Sequence, residues 1–152
     1  MTYRSQAIWD NYFLEIADVV RRKSKDNSTK CGAVIVGPDN QIVTTGFNGF
    51  PRGIEEADPK RWTRPLKFKF VEHAERNAIY NAARFGVALS GCTLYLVGFA
   101  SPCTECAKAI IQSGIVRVAG RAYKSVSETW IDDLTLAGTL LKEAGVKFVE
   151  LT

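Results

Sequence analysis

Cys92-Thr93-Leu94-Tyr95-Leu96-Val97 is followed, across a short loop, by Pro102-Cys103-Thr104-Glu105-Cys106-Ala107-Lys108 and then by Ile115-Val116-Arg117-Val118-Ala119. The outer runs are short, apolar and rich in strand-forming residues, whereas Cys103 to Gln112 carries a helical pattern closed near Gly114. A strand, a helix and a strand in that order pair the two strands in parallel, with the helix on one face. Working outward, the pattern repeats. His73 to Arg84 reads as a helix stopped by Gly86, Glu128 to Ala144 as a helix ended by Gly145, and Val146 to Leu151 as a last strand. Upstream, Ala33-Val34-Ile35-Val36 and Gln41-Ile42-Val43-Thr44-Thr45 flank Gly37-Pro38-Asp39-Asn40, the turn chemistry of a β-hairpin. A first helix starts near Ser5, with Trp9, Tyr12, Phe13, Ile16, Val19 and Val20 at helical spacing and Arg21-Arg22-Lys23 at its end. The expected class is α/β: a three-layer α/β/α fold on a mixed five-stranded sheet, as one domain over residues 1–152. Between Gly46 and Phe70 the chain is rich in Gly, Pro and basic residues, and reads as a long functional loop.

Composition narrows the function. The 152 residues are 46% hydrophobic and 24% charged, which excludes disordered, collagen-like and disulfide-scaffold chains. No apolar run reaches the ~18 residues of a membrane span, and Met1-Thr2-Tyr3-Arg4 lacks a signal peptide's apolar stretch. The expected location is the cytoplasm, with no membrane partner. The net charge of +4 is low for a duplex-binding protein, so small anionic ligands are expected rather than a stable nucleic-acid partner. The chain has one histidine and four cysteines, so any catalytic metal must draw on thiolate or carboxylate for its remaining ligands.

His73-Ala74-Glu75 and Pro102-Cys103-Thr104-Glu105-Cys106 each stand where a loop gives way to a helix. Cys103 and Cys106, three apart, share a helical face and can hold one ion. The open N–H groups of the helix start favour their thiolate forms. With His73 they give three protein ligands and one open position, the pattern of catalytic zinc. Glu75 points to another side of its helix, outside the metal's ligands yet within reach of a water there, as a proton shuttle. His-x-Glu with Pro-Cys-x-x-Cys is the signature of zinc nucleobase deaminases. A redox dithiol, or a closed structural zinc completed by Cys31 or Cys92, are the competing readings; both of these cysteines lie in or beside apolar strand runs that suit core packing.

The sequence resembles the deoxycytidylate (dCMP) deaminases of the cytidine deaminase superfamily from about Ser24 to Val149. The resemblance rests on Ser24-Lys25-Asp26, Cys31 to Val36, Gly46-Phe47-Asn48-Gly49-Phe50-Pro51-Arg52-Gly53, His73 to Ile79 and Pro102 to Lys108. Members usually have tyrosine where Phe47 stands. The resemblance implies zinc on His73, Cys103 and Cys106, and hydrolysis of dCMP to dUMP and ammonia. Glu75 would act as general acid and base, taking a proton from the water that attacks C4 and returning protons to the ring nitrogen and leaving amine. The backbone at Ala74 would bond the base, Asn48 the sugar, and Ser24 and Lys25 the 5′-phosphate, with Tyr123 and Lys124 as weaker phosphate candidates. It further implies a homo-oligomer, typically a hexamer, activated by dCTP and inhibited by dTTP on the loop carrying Gly49, Phe50 and Arg52, with Mg2+ accompanying the triphosphate. Deamination of another substrate (cytidine, guanine, a riboflavin precursor or a tRNA base) and a catalytically silent binding module are the alternatives.

Overall fold

A computed structural model describes residues 5–152, so the reading of residues 1–4 lies outside the described residues. Helix α1 (Gln6–Arg21) begins after Ser5 and ends on the basic cluster. Strands β1 (Gly32–Val36) and β2 (Ile42–Phe47) form the hairpin. Then come α2 (Lys67–Phe70), α3 (Ala74–Phe85), β3 (Thr93–Gly98), α4 (Thr104–Gln112), β4 (Arg117–Ala122), α5 (Glu128–Glu143) and β5 (Lys147–Glu150). The sheet order is β2-β1-β3-β4-β5, with β1 antiparallel to both neighbours and β3, β4 and β5 parallel. This is the mixed five-stranded α/β sheet that the strand and helix pattern predicts.

Side-chain alternation sorts the two faces. Ala33, Ile35, Leu94 and Leu96 point to the side covered by Ala78, Ala82, Ala107, Ile110, Ala137 and Leu141 of α3, α4 and α5. Val34, Val36, Tyr95 and Val97 point the other way, against Phe13, Leu14 and Ala17 of α1. The α1 face is narrower than its spacing suggests: Tyr12 is 49% and Val19 60% exposed. Beneath α1 the buried Asp10 carboxylate accepts from Tyr95 Oη at 2.8 Å and pairs with Arg117 at 2.8 Å, tying the helix to β3 and β4.

Two expectations shift. The 46–70 segment is not structureless: β2 runs on to Phe47, Pro59–Trp62 forms a 3-10 turn, and Gly49 and Glu72 form a backbone bridge at 2.8 and 3.1 Å. The Gly- and Pro-rich composition hid these short elements because each is held by distant partners; the Phe50 ring, for example, stacks on Trp62 with centroids 4.2 Å apart. The fourth strand also starts later than Ile115, because Ile115 turns into the core while Arg117 pairs with Thr93.

Gly46 decides how closely β2 meets α3. A Cβ there would lie 2.3 Å from the Ala78 nitrogen and 2.5 Å from the Ala74 carbonyl oxygen, both backbone atoms. Gly46→Ala should therefore push the first turn of α3 off the sheet and cost about 1–3 kcal/mol, as overpacking of a core does. The check is a lower urea midpoint at unchanged slope, with turnover falling alongside it.

Candidate active site

Two helices start at one end of the sheet. β2 and β3 run the same way, so the chain leaving Phe47 and the chain leaving Gly98 emerge together beside the start of β1. His73 is the N-cap of α3 and Cys103 the N-cap of α4, both with extended backbone. Pro102 stands immediately before that N-cap, where its missing N–H removes no helical bond. Ligand sites in α/β sheets gather at such strand ends.

His73 Nδ1 lies 3.4 Å from Cys103 Sγ and 3.4 Å from Cys106 Sγ, and the three ligand atoms all fall within 4.8 Å of one another. A tetrahedral zinc with Zn–S near 2.3 Å and Zn–N near 2.0–2.1 Å separates sulfur from nitrogen by roughly 3.5 Å. The donor set and its spacing therefore fit zinc. Among the described residues neither Cys31 nor Cys92 joins this cluster, so a closed structural zinc lacks its fourth ligand. Cys92 is buried in the core, whereas Cys31 borders the cleft and burial pushes its thiol up to about 12.

Cys103 and Cys106 compete for a proton. Hydrogen bonding with Cys106, helped by His73, draws the Cys103 thiol down to about 4 against the cost of burial. The same bond together with burial pushes Cys106 up. His73 is raised to about 8, first by its hydrogen bond to Cys103 and then by the charge of Glu75, while burial opposes. A divalent cation bound among these three atoms would displace the shared protons, since it takes thiolate and neutral imidazole as ligands. Glu75 is 5% exposed at the first turn of α3, and burial pushes its carboxyl above the usual range. A raised carboxyl holds a proton more readily than a solvated one, which suits a group that must return the proton it takes.

These groups open into a cleft of about 400 Å3. Asn48 and Ala74 line it; Ser24 and Lys25 do not. The Ser24 hydroxyl is buried, donating to the Asn48 carbonyl at 2.8 Å and accepting from the Asp26 N–H, while Lys25 is exposed and paired with Glu56. Both protons of the Asn48 amide are also engaged, with Thr29 O at 2.8 Å and Asp26 Oδ2 at 3.3 Å. Its oxygen accepts the Cys31 N–H at 2.8 Å and keeps a second lone pair. Gly49 lies in the bridge to Glu72, Phe50 is packed between Trp62 and Phe70, and Arg52 bonds Asn81. Tyr123 stacks under Arg21, and Lys124 donates to Ser28 O at 2.9 Å.

Other residues at the site carry no local sequence signal. Asp133 of α5 accepts from the Thr104 N–H at 3.0 Å and from its hydroxyl at 2.6 Å, locking the turn that bears both cysteines. Glu72 accepts the His73 N–H at 3.0 Å and pairs with Arg76. Lys67 and Asp26 form a buried pair at 2.7 Å across 41 residues of chain. Asp26 feels burial raising its pKa, but Lys67 and the Ser28 and Thr29 N–H groups outweigh it and hold the carboxyl low. Its contribution to stability is thus complete above the unfolded value of about 3.9 and lost as pH falls through the lower folded value. Asp26→Asn, which strands the Lys67 ammonium, should cost about 3–5 kcal/mol at pH 7. It should also flatten the fall in urea midpoint that the wild type shows below about pH 4.

The family model of the cytidine and deoxycytidylate deaminase zinc-binding region matches residues 7–120. The mouse deoxycytidylate deaminase is 39% identical over 150 residues, covering 95% of this chain and 80% of that protein. The human deoxycytidylate deaminase is 38% identical over 146 residues, covering 92% and 78%. Among solved structures, the dCMP deaminase of cyanophage S-TIM5 in complex with dCMP and dUMP superposes with a TM-score of 0.75 at 27% identity, covering 98% of this chain and all of that one.

Proposed function

The chain belongs to the cytidine and deoxycytidylate deaminase family, and on that premise we propose that it converts dCMP and water to dUMP and ammonia, as one deaminase domain over residues 1–152. The observation that carries this reading is the convergence of His73, Cys103 and Cys106 on one point of a cleft that also holds the buried Glu75. His73 Nδ1 and the two Sγ atoms would hold zinc; when bound, it supplies the Lewis acidity that makes water a nucleophile at neutral pH. Glu75 takes a proton from the attacking water. It delivers that proton to N3 of cytosine, then takes the proton of the new C4 hydroxyl and passes it to the amine leaving C4. The Ala74 backbone at the cleft floor orients the base, and the free lone pair of Asn48 Oδ1 accepts from the sugar hydroxyl. Asp133 and Glu72 hold the two helix starts in register, so the ligands need no rearrangement.

The test is turnover by zinc-loaded protein on dCMP, dCTP, deoxycytidine, cytidine, guanine and oligonucleotides. Preference for dCMP is expected. Preference for any other member of that set, or binding without turnover, would overturn the assignment.

The regulatory reading belongs to the same proposal: a hexamer in the cytoplasm, activated by dCTP with Mg2+ and inhibited by dTTP. Gly49, Phe50 and Arg52 would meet the effector. A physical link supports it, since Gly49 is bridged to Glu72, whose carboxylate in turn holds the His73 N–H. Four free cysteines suit a reducing compartment. Rate against dCMP concentration should be sigmoidal and shift in opposite directions with the two effectors; a hyperbola indifferent to both refutes regulation while leaving catalysis intact.

A further inference from the structure

Of the lysine and arginine side chains that line the cleft, one has no acidic partner among the described residues. Three basic side chains line it: Arg64, Lys67 and Arg76. Lys67 is neutralised by Asp26 at 2.7 Å and is buried with it. Arg76 is neutralised by Glu72 at 2.5 Å. Arg64 has no carboxylate within salt-bridge distance among the described residues, and its guanidinium lies over the Phe68 ring, 5.6 Å from the centroid. Ser24 and Lys25 are spent elsewhere, on the Asn48 carbonyl and Glu56. We propose that Arg64 is the anchor for the 5′-phosphate of the nucleotide. This rests on reading the cleft as a nucleotide deaminase site.

The turn that carries Arg64 is built to hold it in place. Lys67 N–H donates to Thr63 O at 2.9 Å and Phe68 N–H to Pro65 O at 3.1 Å, closing the backbone around it. The Lys67 side chain then pins the turn to the segment after α1 through Asp26 and through Ser28 Oγ at 3.2 Å. Lys67 therefore works as a fixed post, and Arg64 as the group free to meet an anion. A guanidinium presents paired N–H donors that match two phosphate oxygens. Both Arg64 and Phe68 are exposed, and the ring beside the guanidinium leaves its N–H donors open to solvent and to an anion. The cluster of zinc ligands binds the base end of the nucleotide, so a cation on the cleft wall accounts for selection of a phosphorylated substrate over the bare nucleoside.

The experiment compares binding of dUMP and deoxyuridine to zinc-loaded wild type, Arg64→Ala and Arg64→Lys by calorimetry, with dCMP turnover recorded on the same preparations. The wild type should favour dUMP over deoxyuridine. Arg64→Ala should weaken dUMP at least tenfold while deoxyuridine stays within twofold, and Arg64→Lys should recover most of the loss. Equal weakening of both ligands, no weakening of dUMP, or a wild type indifferent to the phosphate would overturn the anchor. A wild type that holds dUMP through Arg64 yet turns over no dCMP would overturn the deaminase reading and leave the anchor standing.

Discussion

Glu75→Ala should bind zinc as the wild type does and lose roughly 10²–10⁴-fold in kcat on dCMP, the range a positioned general acid–base group commands. The separation of the two effects follows from the geometry. Glu75 is no part of the His73–Cys103–Cys106 cluster, so removing its carboxylate deletes no ligand. It does remove the one buried carboxyl whose pKa is pushed up beside that cluster. Burial of an ionisable group disfavours its charged form, so the variant should be at least as stable as the parent. Glu75→Gln keeps the size without the proton-transfer function and should be impaired to a similar degree. Metal content near the wild-type value with kcat within tenfold would refute the role assigned to Glu75.

His73→Ala should abolish both metal binding and activity. Two thiolates remain, but the nitrogen 3.4 Å from each of them is gone and the tetrahedral set falls to two protein ligands. Three readouts follow: zinc content dropping to near zero, no dUMP formed, and no rise in Tm when zinc is added to protein stripped by chelator. A ligand that binds only the folded state raises Tm in the wild type by mass action, so the last readout is independent of catalysis. Cys31→Ser serves as the control and should keep its zinc. Loss of metal in Cys31→Ser with retention in His73→Ala would move the site to a different ligand set.

Legibility in the sequence followed the range of the interactions. Helix stops were readable because they depend on one residue: Gly86 takes a left-handed φ of 69° at the end of α3 and Gly145 one of 75° after α5. The strands of the sheet showed because short apolar runs such as Leu94-Tyr95-Leu96-Val97 are local; the structure then sorts their side chains alternately onto two faces. The zinc ligands were visible because the chemistry demands a close pair plus one imidazole, and the chain has a single histidine. What escaped depends on partners far along the chain. Asp26 meets Lys67 across 41 residues, and Asp133 meets Thr104 across 29. No periodicity marks such pairs. The same limit explains Ser24 and Lys25, whose motif sits near the cleft while its Asp26, rather than either of them, lines the wall.

Hydrolysis of dCMP at the His73–Cys103–Cys106 site leaves its mark on the oxygen that water supplies. Zinc-loaded protein is incubated with dCMP in oxygen-18-labelled water, and the products are analysed by mass spectrometry together with an ammonia assay. The expected product is dUMP carrying the heavy oxygen at C4, with one ammonia released for each dUMP. Unchanged dCMP from fully loaded protein supplied with dCTP, or dUMP without the label, would contradict hydrolysis at this site.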